Sequence, residues 1–232
     1  MLDVVSSSAT GSQVFQSTKM PKSKALKRKA NSSLNLPTAR SDSVSRILPY
    51  LYLGPCSATS ATSTFIARQG ITHVISVGKK PRSMLENIVY LRLSIEDDPS
   101  ADLFKPGGEA IAFIDKARAE KTSSKIFVHC FAGISRSPSI VVFYLMQSCG
   151  VSLKHALGLV INARPIACPN PGFLSQLQQA EIEFRGSSSL PPDLTSLPSK
   201  KEDRLALFHE DDGNPGSTKS SVRLCFFVVK QW

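Results

Sequence analysis

The stretch Val128-His129-Cys130-Phe131-Ala132-Gly133-Ile134-Ser135-Arg136-Ser137 carries the residue types for nucleophilic attack on an anion. It follows an apolar, strand-like run, Lys125–His129, and opens a very apolar helix, Ser137–Ser148. A loop at such a junction turns backbone N–H groups into one concavity, and the helix N-terminus adds partial positive charge. An oxyanion sits well in that cradle. Cys130 lies at its start, where thiolate is favoured over thiol. Gly133 allows the backbone to approach a ligand closely. Arg136 supplies a planar fork suited to two phosphate oxygens. Ser137 places a hydroxyl beside the thiolate, and Pro138 is tolerated in a first helical turn. A lone cysteine after a strand is ordinarily a small core hydrophobe. Cysteine, glycine and arginine together, in a strand–loop–helix setting, point instead to a loop that binds phosphate and a cysteine that attacks phosphorus.

The elements that must hold this loop read as alternating strands and helices. Ile47–Leu53 alternates and stops at Gly54-Pro55. Ser57–Gln69 suits a helix closed by Gly70, Thr72–Val77 is a β-branched strand ending at Gly78, and Ile88–Ile95 is another strand. Glu109–Lys121 is amphipathic. Ser152 suits the N-cap of a helix to Ala163 that Pro165 stops, and Pro171–Phe184 is the last helix. Strands mixed with covering helices predict an α/β domain over residues 45–186. Residues 1–44 hold seven Lys/Arg and two Asp/Glu, are rich in Ser, Thr, Lys and Asn, and lack periodicity, so a disordered basic tail is expected. Residues 187–232 are expected to be mostly disordered, opening on a Ser/Pro linker. Leu224–Val229 suits either an added edge strand or an exposed aggregation-prone segment.

Composition narrows the classes. The chain has 232 residues, 41% of them hydrophobic, enough for a sizeable core. The longest apolar runs, Ile140–Met146 and Leu224–Val229, are far short of the roughly 20 residues of a membrane span. Five cysteines, Cys56, Cys130, Cys149, Cys168 and Cys225, fit neither a disulfide framework nor a zinc site. A reducing compartment, cytoplasm or nucleus, is the expectation, with Cys56, Cys149 and Cys168 as core or loop thiols. The net charge of +10 is compatible with nucleic acid, membrane or an anionic substrate, and half of it lies in the N-terminal tail.

The motif His-Cys-x-x-Gly-x-x-Arg-Ser resembles the active-site loop of the cysteine-dependent protein tyrosine phosphatases. The stretch His129–Met146 resembles their dual-specificity branch, especially the phosphatases of mitogen-activated protein kinases. Ile47–Gly54, Ile71–Val77 and Asn170–Leu177 resemble further family segments. The likeness spans about residues 45–186 and neither tail. It implies a phosphatase-like fold: one α/β domain, a central, mostly parallel sheet of about five strands, and helices on both faces.

Carried over residue by residue, the resemblance makes Cys130 the nucleophile of a phosphocysteine intermediate. Arg136 and the amides of Phe131, Ala132, Gly133, Ile134, Ser135 and Arg136 would hold the phosphate oxygens. Ser137 would help Cys130 leave, and His129 would orient the loop and tune the thiolate rather than act as a base. The family's general acid is an Asp on a loop after a strand. In Ile95-Glu96-Asp97-Asp98-Pro99, aligning Tyr90-Leu91 with that strand places it at Asp97, 33 residues before Cys130. Asp98 is the close rival, Glu96 a weaker one, and a solvated acidic turn is the plain alternative. Arg164-Pro165 reads as a helix end near the active-site mouth, with an anion-binding role as the alternative, and Asn170 as an N-cap or loop-fixing residue. No metal and no cofactor are implied.

The loop interior has no Lys, which argues against phosphoinositides, and no Lys-Asn-Arg-Tyr element is present, which argues for a shallower pocket that admits phosphoserine and phosphothreonine beside phosphotyrosine. The expected partner is a phosphorylated protein, a mitogen-activated protein kinase, with no nucleic acid and no membrane. The rival readings are a non-catalytic phosphoprotein-binding module and an enzyme on RNA or lipid phosphates. In the tail, Lys27-Arg28-Lys29 precedes Leu34-Asn35-Leu36, a pattern that resembles kinase-docking peptides. Nuclear import through Pro21–Lys29 and a merely solvated basic tail are the alternatives.

Overall fold

Side-chain alternation builds the sheet from both faces. In Ile126–Cys130, the residues Ile126, Val128 and Cys130 enter the large core, while Phe127 enters a smaller one on the opposite side. The computed structural model describes residues 44–60, 63–78 and 84–208. In chain order its elements are β1 (Ser45–Leu48), β2 (Leu51–Pro55), a 3-10 turn (Cys56–Thr59), α1 (Phe65–Gln69), β3 (His73–Val77), β4 (Val89–Leu93) and α2 (Phe104–Glu120). Then follow β5 (Ile126–Cys130), α3 (Arg136–Ser148), α4 (Leu153–Ala163), α5 (Pro171–Arg185) and α6 (Lys201–Leu207).

The sheet order is β1-β2-β5-β3-β4, with β1 antiparallel and the other four strands parallel. This is the expected mostly parallel, five-stranded sheet. Parallel strands bring their C-terminal ends to one rim, where Pro55 lies opposite Cys130 and Ser76 opposite His129. Helices α2 to α5 pack with Leu53, Ile75, Leu93 and Val128 on one face. On the other, Ile66 of α1 covers Tyr52, Val74 and Phe127. The central helix α3 is buried along all of Ser137–Met146, as its apolar sequence requires.

Several boundaries differ from the sequence expectation, each for a physical reason. The run Ile47–Leu53 is a hairpin of two strands rather than one, broken at Pro49-Tyr50. The helix expected over Ser57–Gln69 is a 3-10 turn followed by a short α1; Gly70 does close α1, in the left-handed region at φ 65°. Helix α2 begins at Phe104, not Glu109. Asp102 accepts from the N–H groups of Phe104 (2.9 Å) and Lys105 (3.4 Å), and Gly107, a breaker in isolation, lets the Phe143 ring pack against the helix.

The expectation of a mostly disordered segment after 186 is corrected for residues 187–208. Leu190, Leu197 and Phe208 join the core, and α6 packs on α4. Cys149 is buried in the main core. Lys27, Arg28, Lys29, Leu34, Leu36 and Leu224–Val229 lie outside the described residues. Among those described, no helix is long and apolar enough to cross a membrane.

Candidate active site

Every carbonyl of the loop after β5 is bonded from outside. Phe131 O accepts from the Cys56 N–H at 3.2 Å and Ile134 O from the Cys168 N–H at 2.7 Å. Ala132 O and Gly133 O accept from Nη2 and Nε of Arg164 at 2.9 and 2.7 Å. Ser135 O accepts from both N–H and hydroxyl of Ser139. A trans peptide points its N–H opposite to its C=O. The amides of Ala132, Gly133, Ile134, Ser135 and Arg136 therefore face inward, and the Gly133 N–H reaches Cys130 Sγ at 3.2 Å. Gly133 is at φ 68°, and a Cβ there would lie 2.6 Å from Gly54 O and 2.9 Å from Arg164 Nη2. Only glycine fits.

Cys130 is buried, and its Sγ also accepts from the Ser137 hydroxyl at 3.2 Å. Sγ thus faces the loop amides and the start of α3, whose N-terminus carries partial positive charge. Arg136 closes the cradle. Its guanidinium lies against Gly78, where a Cβ would collide with Nη1. Arg136 Nε is buried with no hydrogen bond in the described structure and faces Asp97 Oδ2 at 3.7 Å.

His129 lies behind the loop, stacked on Phe127 and hydrogen-bonded through Nε2 to Ser76 Oγ at 2.8 Å. Its Nδ1 faces the Cys130 carbonyl at 3.4 Å. Burial lowers its pKa to about 4, with the bond to the carbonyl a smaller opposing effect. One proton on Nδ1 satisfies both contacts, so the ring is neutral. Its described contacts are to β3 and to the end of its own strand, and none is to Sγ.

The acidic turn separates by partner. Asp97 Oδ1 accepts from the Ser135 hydroxyl at 2.6 Å and from Asn170 Nδ2 at 3.1 Å, which brings the carboxyl to the cradle rim. Asp98 instead accepts the N–H and hydroxyl of Ser100 through one oxygen at 2.8 and 2.5 Å, and these bonds lower its pKa. It closes its own turn. Glu96 is exposed. Asp97, Ser135, Arg136, Ser137 and Cys130 therefore converge.

Other residues gain roles that local pattern did not reveal. Arg164, read as a helix end, is 2% exposed and grips the loop; burial lowers its pKa, and the Cys130 charge partly opposes this. Its signal in sequence was an arginine where a helix meets proline, which does not say what the side chain reaches. Asn170 caps α5 through the Phe173 N–H, as expected, while its own N–H bonds Ser135 Oγ and its amide holds Asp97. Gly172 lies under Pro99, whose carbonyl any Cβ would overlap, so the turn carrying Asp97 rests on α5. Cys56 and Cys168 are free thiols that hold the loop through their backbones.

A buried cysteine among inward-facing backbone amides, with a carboxyl at the rim of its loop, sits at the end of a mostly parallel sheet. Residues 51–183 match the family model described as dual specificity phosphatase, catalytic domain, and the chain belongs to that family. Dual specificity protein phosphatase 15 of Mus musculus is 39% identical over 136 residues, covering 59% of this chain and 57% of that protein. Dual specificity protein phosphatase 5 of Rattus norvegicus is 38% identical over 146 residues, 62% of this chain and 37% of that protein. The match thus covers little more than half of the first relative and less of the second. Among solved structures, human DUSP28 is 34% identical with a TM-score of 0.57, covering 61% of this chain and 95% of that one. DUSP15 is 36% identical with a TM-score of 0.56, covering 62% and 90%.

Proposed function

We propose that this chain hydrolyses phosphotyrosine, phosphoserine and phosphothreonine in proteins through a phosphocysteine intermediate, with a phosphorylated mitogen-activated protein kinase as substrate. The observation that carries the reading is the placement of Cys130 Sγ between the Gly133 N–H and the Ser137 hydroxyl, below a carboxyl anchored to the same loop.

In the first step the phosphoryl oxygens lie on the amides of Ala132–Arg136 and the Arg136 guanidinium. The Sγ lone pair forms the S–P bond as the P–O bond to the substrate breaks. The departing oxygen takes its electron pair and the proton of the Asp97 carboxyl. In the second step Asp97, now a carboxylate, takes a proton from a water whose oxygen attacks phosphorus. The S–P bond breaks, inorganic phosphate leaves, and the Ser137 hydroxyl stabilises the returning thiolate. Phe131, 72% exposed, and Ile134, 39% exposed, stand on the outer side of the loop and offer apolar contact to residues flanking the phosphate.

A panel of phosphopeptides, phosphoinositides and RNA 5′-triphosphate tests the substrate class. Release of phosphate from phosphotyrosyl and phosphothreonyl peptides alone is the expected result. Preference for lipid or RNA would replace the protein substrate, and tight phosphopeptide binding without release would make the chain a binding module.

A further inference from the structure

We propose that Arg204 is a positioning residue for the phosphate loop, so that the segment after α5 works as part of the catalytic unit. The inference rests on the phosphate-loop reading and extends it beyond the matched residues, which end at 183.

The segment is fastened at both ends. Glu181, 1% exposed, accepts from the Ser189 N–H at 2.7 Å and from the Leu153 N–H at the start of α4 at 2.8 Å. Leu190, Leu197 and Phe208 are buried in the main core. Arg204, 5% exposed, meets no carboxylate among the described residues. Burying a cation without hydrogen bonds is costly, and three carbonyls hold this one. Nη1 donates to Pro198 O and Ser199 O at 2.6 and 2.7 Å, and Nη2 donates to Pro165 O at 3.0 Å.

The first two bonds stay within the segment. The third leaves it and reaches the residue after Arg164. Pro165 has no N–H, so α4 ends there, and the next residues turn back, with the Ala167 N–H on Arg164 O at 2.8 Å. The Pro165 carbonyl is the point at which α6 fixes this turn. Arg164, projecting from the same turn, holds Ala132 O and Gly133 O. Through the two peptide planes it aims the amides of Gly133 and Ile134 into the cradle. Two guanidinium groups in series therefore connect α6 to the groups that meet phosphate, and small misplacements of such groups are expensive in catalysis.

The test compares wild type with Arg204→Met, Arg204→Lys and Leu197→Ala. The last loosens the segment without touching the bond to Pro165. Amide hydrogen exchange of residues 128–137 is measured, with KM and kcat on a small aryl phosphate well below each melting temperature. Arg204→Met should raise loop exchange about tenfold, as loss of one charge-assisted hydrogen bond implies, and raise KM more than it lowers kcat. Arg204→Lys should fall between it and wild type. Leu197→Ala should lose thermal stability yet keep wild-type loop exchange and KM. Wild-type loop exchange in Arg204→Met, or an equal rise in Leu197→Ala, would overturn the proposal. If Arg204→Met does not fold, Arg204→Lys decides: wild-type loop exchange in it overturns the proposal. Exchange needs no turnover, so an inactive wild-type protein would remove the phosphatase reading and leave this inference to be judged by exchange.

Discussion

The Ser135 hydroxyl donates to Asp97 Oδ1 at 2.6 Å, so a residue of the phosphate loop holds the carboxyl that would protonate the leaving group. Asn170 joins them, its N–H on Ser135 Oγ and its amide on Asp97. Loop, acid turn and the start of α5 form one hydrogen-bonded unit, and the acid reaches the site only when that unit is assembled.

Cys130→Ser should abolish turnover while phosphopeptide binding persists, because the cradle is mostly backbone and a serine hydroxyl without a base is a poor nucleophile. Phosphate release and binding titration check both halves. Activity above a few per cent of wild type, an order-of-magnitude threshold, would remove Cys130 as the nucleophile.

Asp97→Asn should lower kcat roughly 10²–10³-fold on alkyl and phenyl phosphates, the scale of lost general acid catalysis, and less on an activated aryl phosphate. Asp98→Asn keeps a side-chain oxygen for the Ser100 N–H and hydroxyl and should leave kcat near wild type. A reversed order of the two variants would transfer the role to Asp98.

Gly172→Ala should resemble a mild acid defect. Its Cβ would overlap the Pro99 carbonyl, so the turn carrying Asp97 must move off α5. The expected signature is a larger fall in kcat for poor leaving groups than for activated ones, with oxyanion affinity retained. Equal losses across leaving groups would mean that the phosphate loop itself had moved.

His129 links the site to pH-dependent stability. Its imidazole titrates at 6.5 ordinarily and at about 4 when buried in the fold. Between these values the unfolded chain binds more protons, so the contribution is fully present above about 6.5 and is lost as pH falls through about 4. The difference corresponds to about 3 kcal/mol. Denaturant unfolding at pH 4.5 and 7.5 should show a shallower acid loss in His129→Gln than in wild type. Identical pH slopes would count against a neutral buried ring.

Kinase docking through the tail is tested at Leu34 and Leu36. Replacing both with Ala should slow dephosphorylation of an intact phosphorylated kinase and leave a small aryl phosphate unaffected, since a tether acts on effective concentration alone. Equal rates on the kinase would remove docking. Replacement of Lys27, Arg28 and Lys29 would then test import by localisation.

Local chemistry was enough to read the strand–loop–helix, Cys130, Gly133, Arg136 and Ser137, because their roles depend on spacing within a few residues. A β-branched run likewise announced β3, an apolar run β5, and apolar content the buried α3. Resemblance alone favoured Asp97 over Asp98, and the different partners of the two carboxylates are tertiary: Ser100 takes one, Ser135 and Asn170 the other. Arg164 looked like a helix end because nothing in its neighbourhood shows that Ala132 O and Gly133 O lie at its fork. The expected start of α2 at Glu109 left out Gly107, whose partner, the Phe143 ring, is 36 residues away. The Ser/Pro composition after 186 read as linker, since a segment with few apolar residues orders only when a core accepts them. Leu190, Leu197 and Phe208 find that core on the finished domain, and no local pattern reports a partner that distant in sequence.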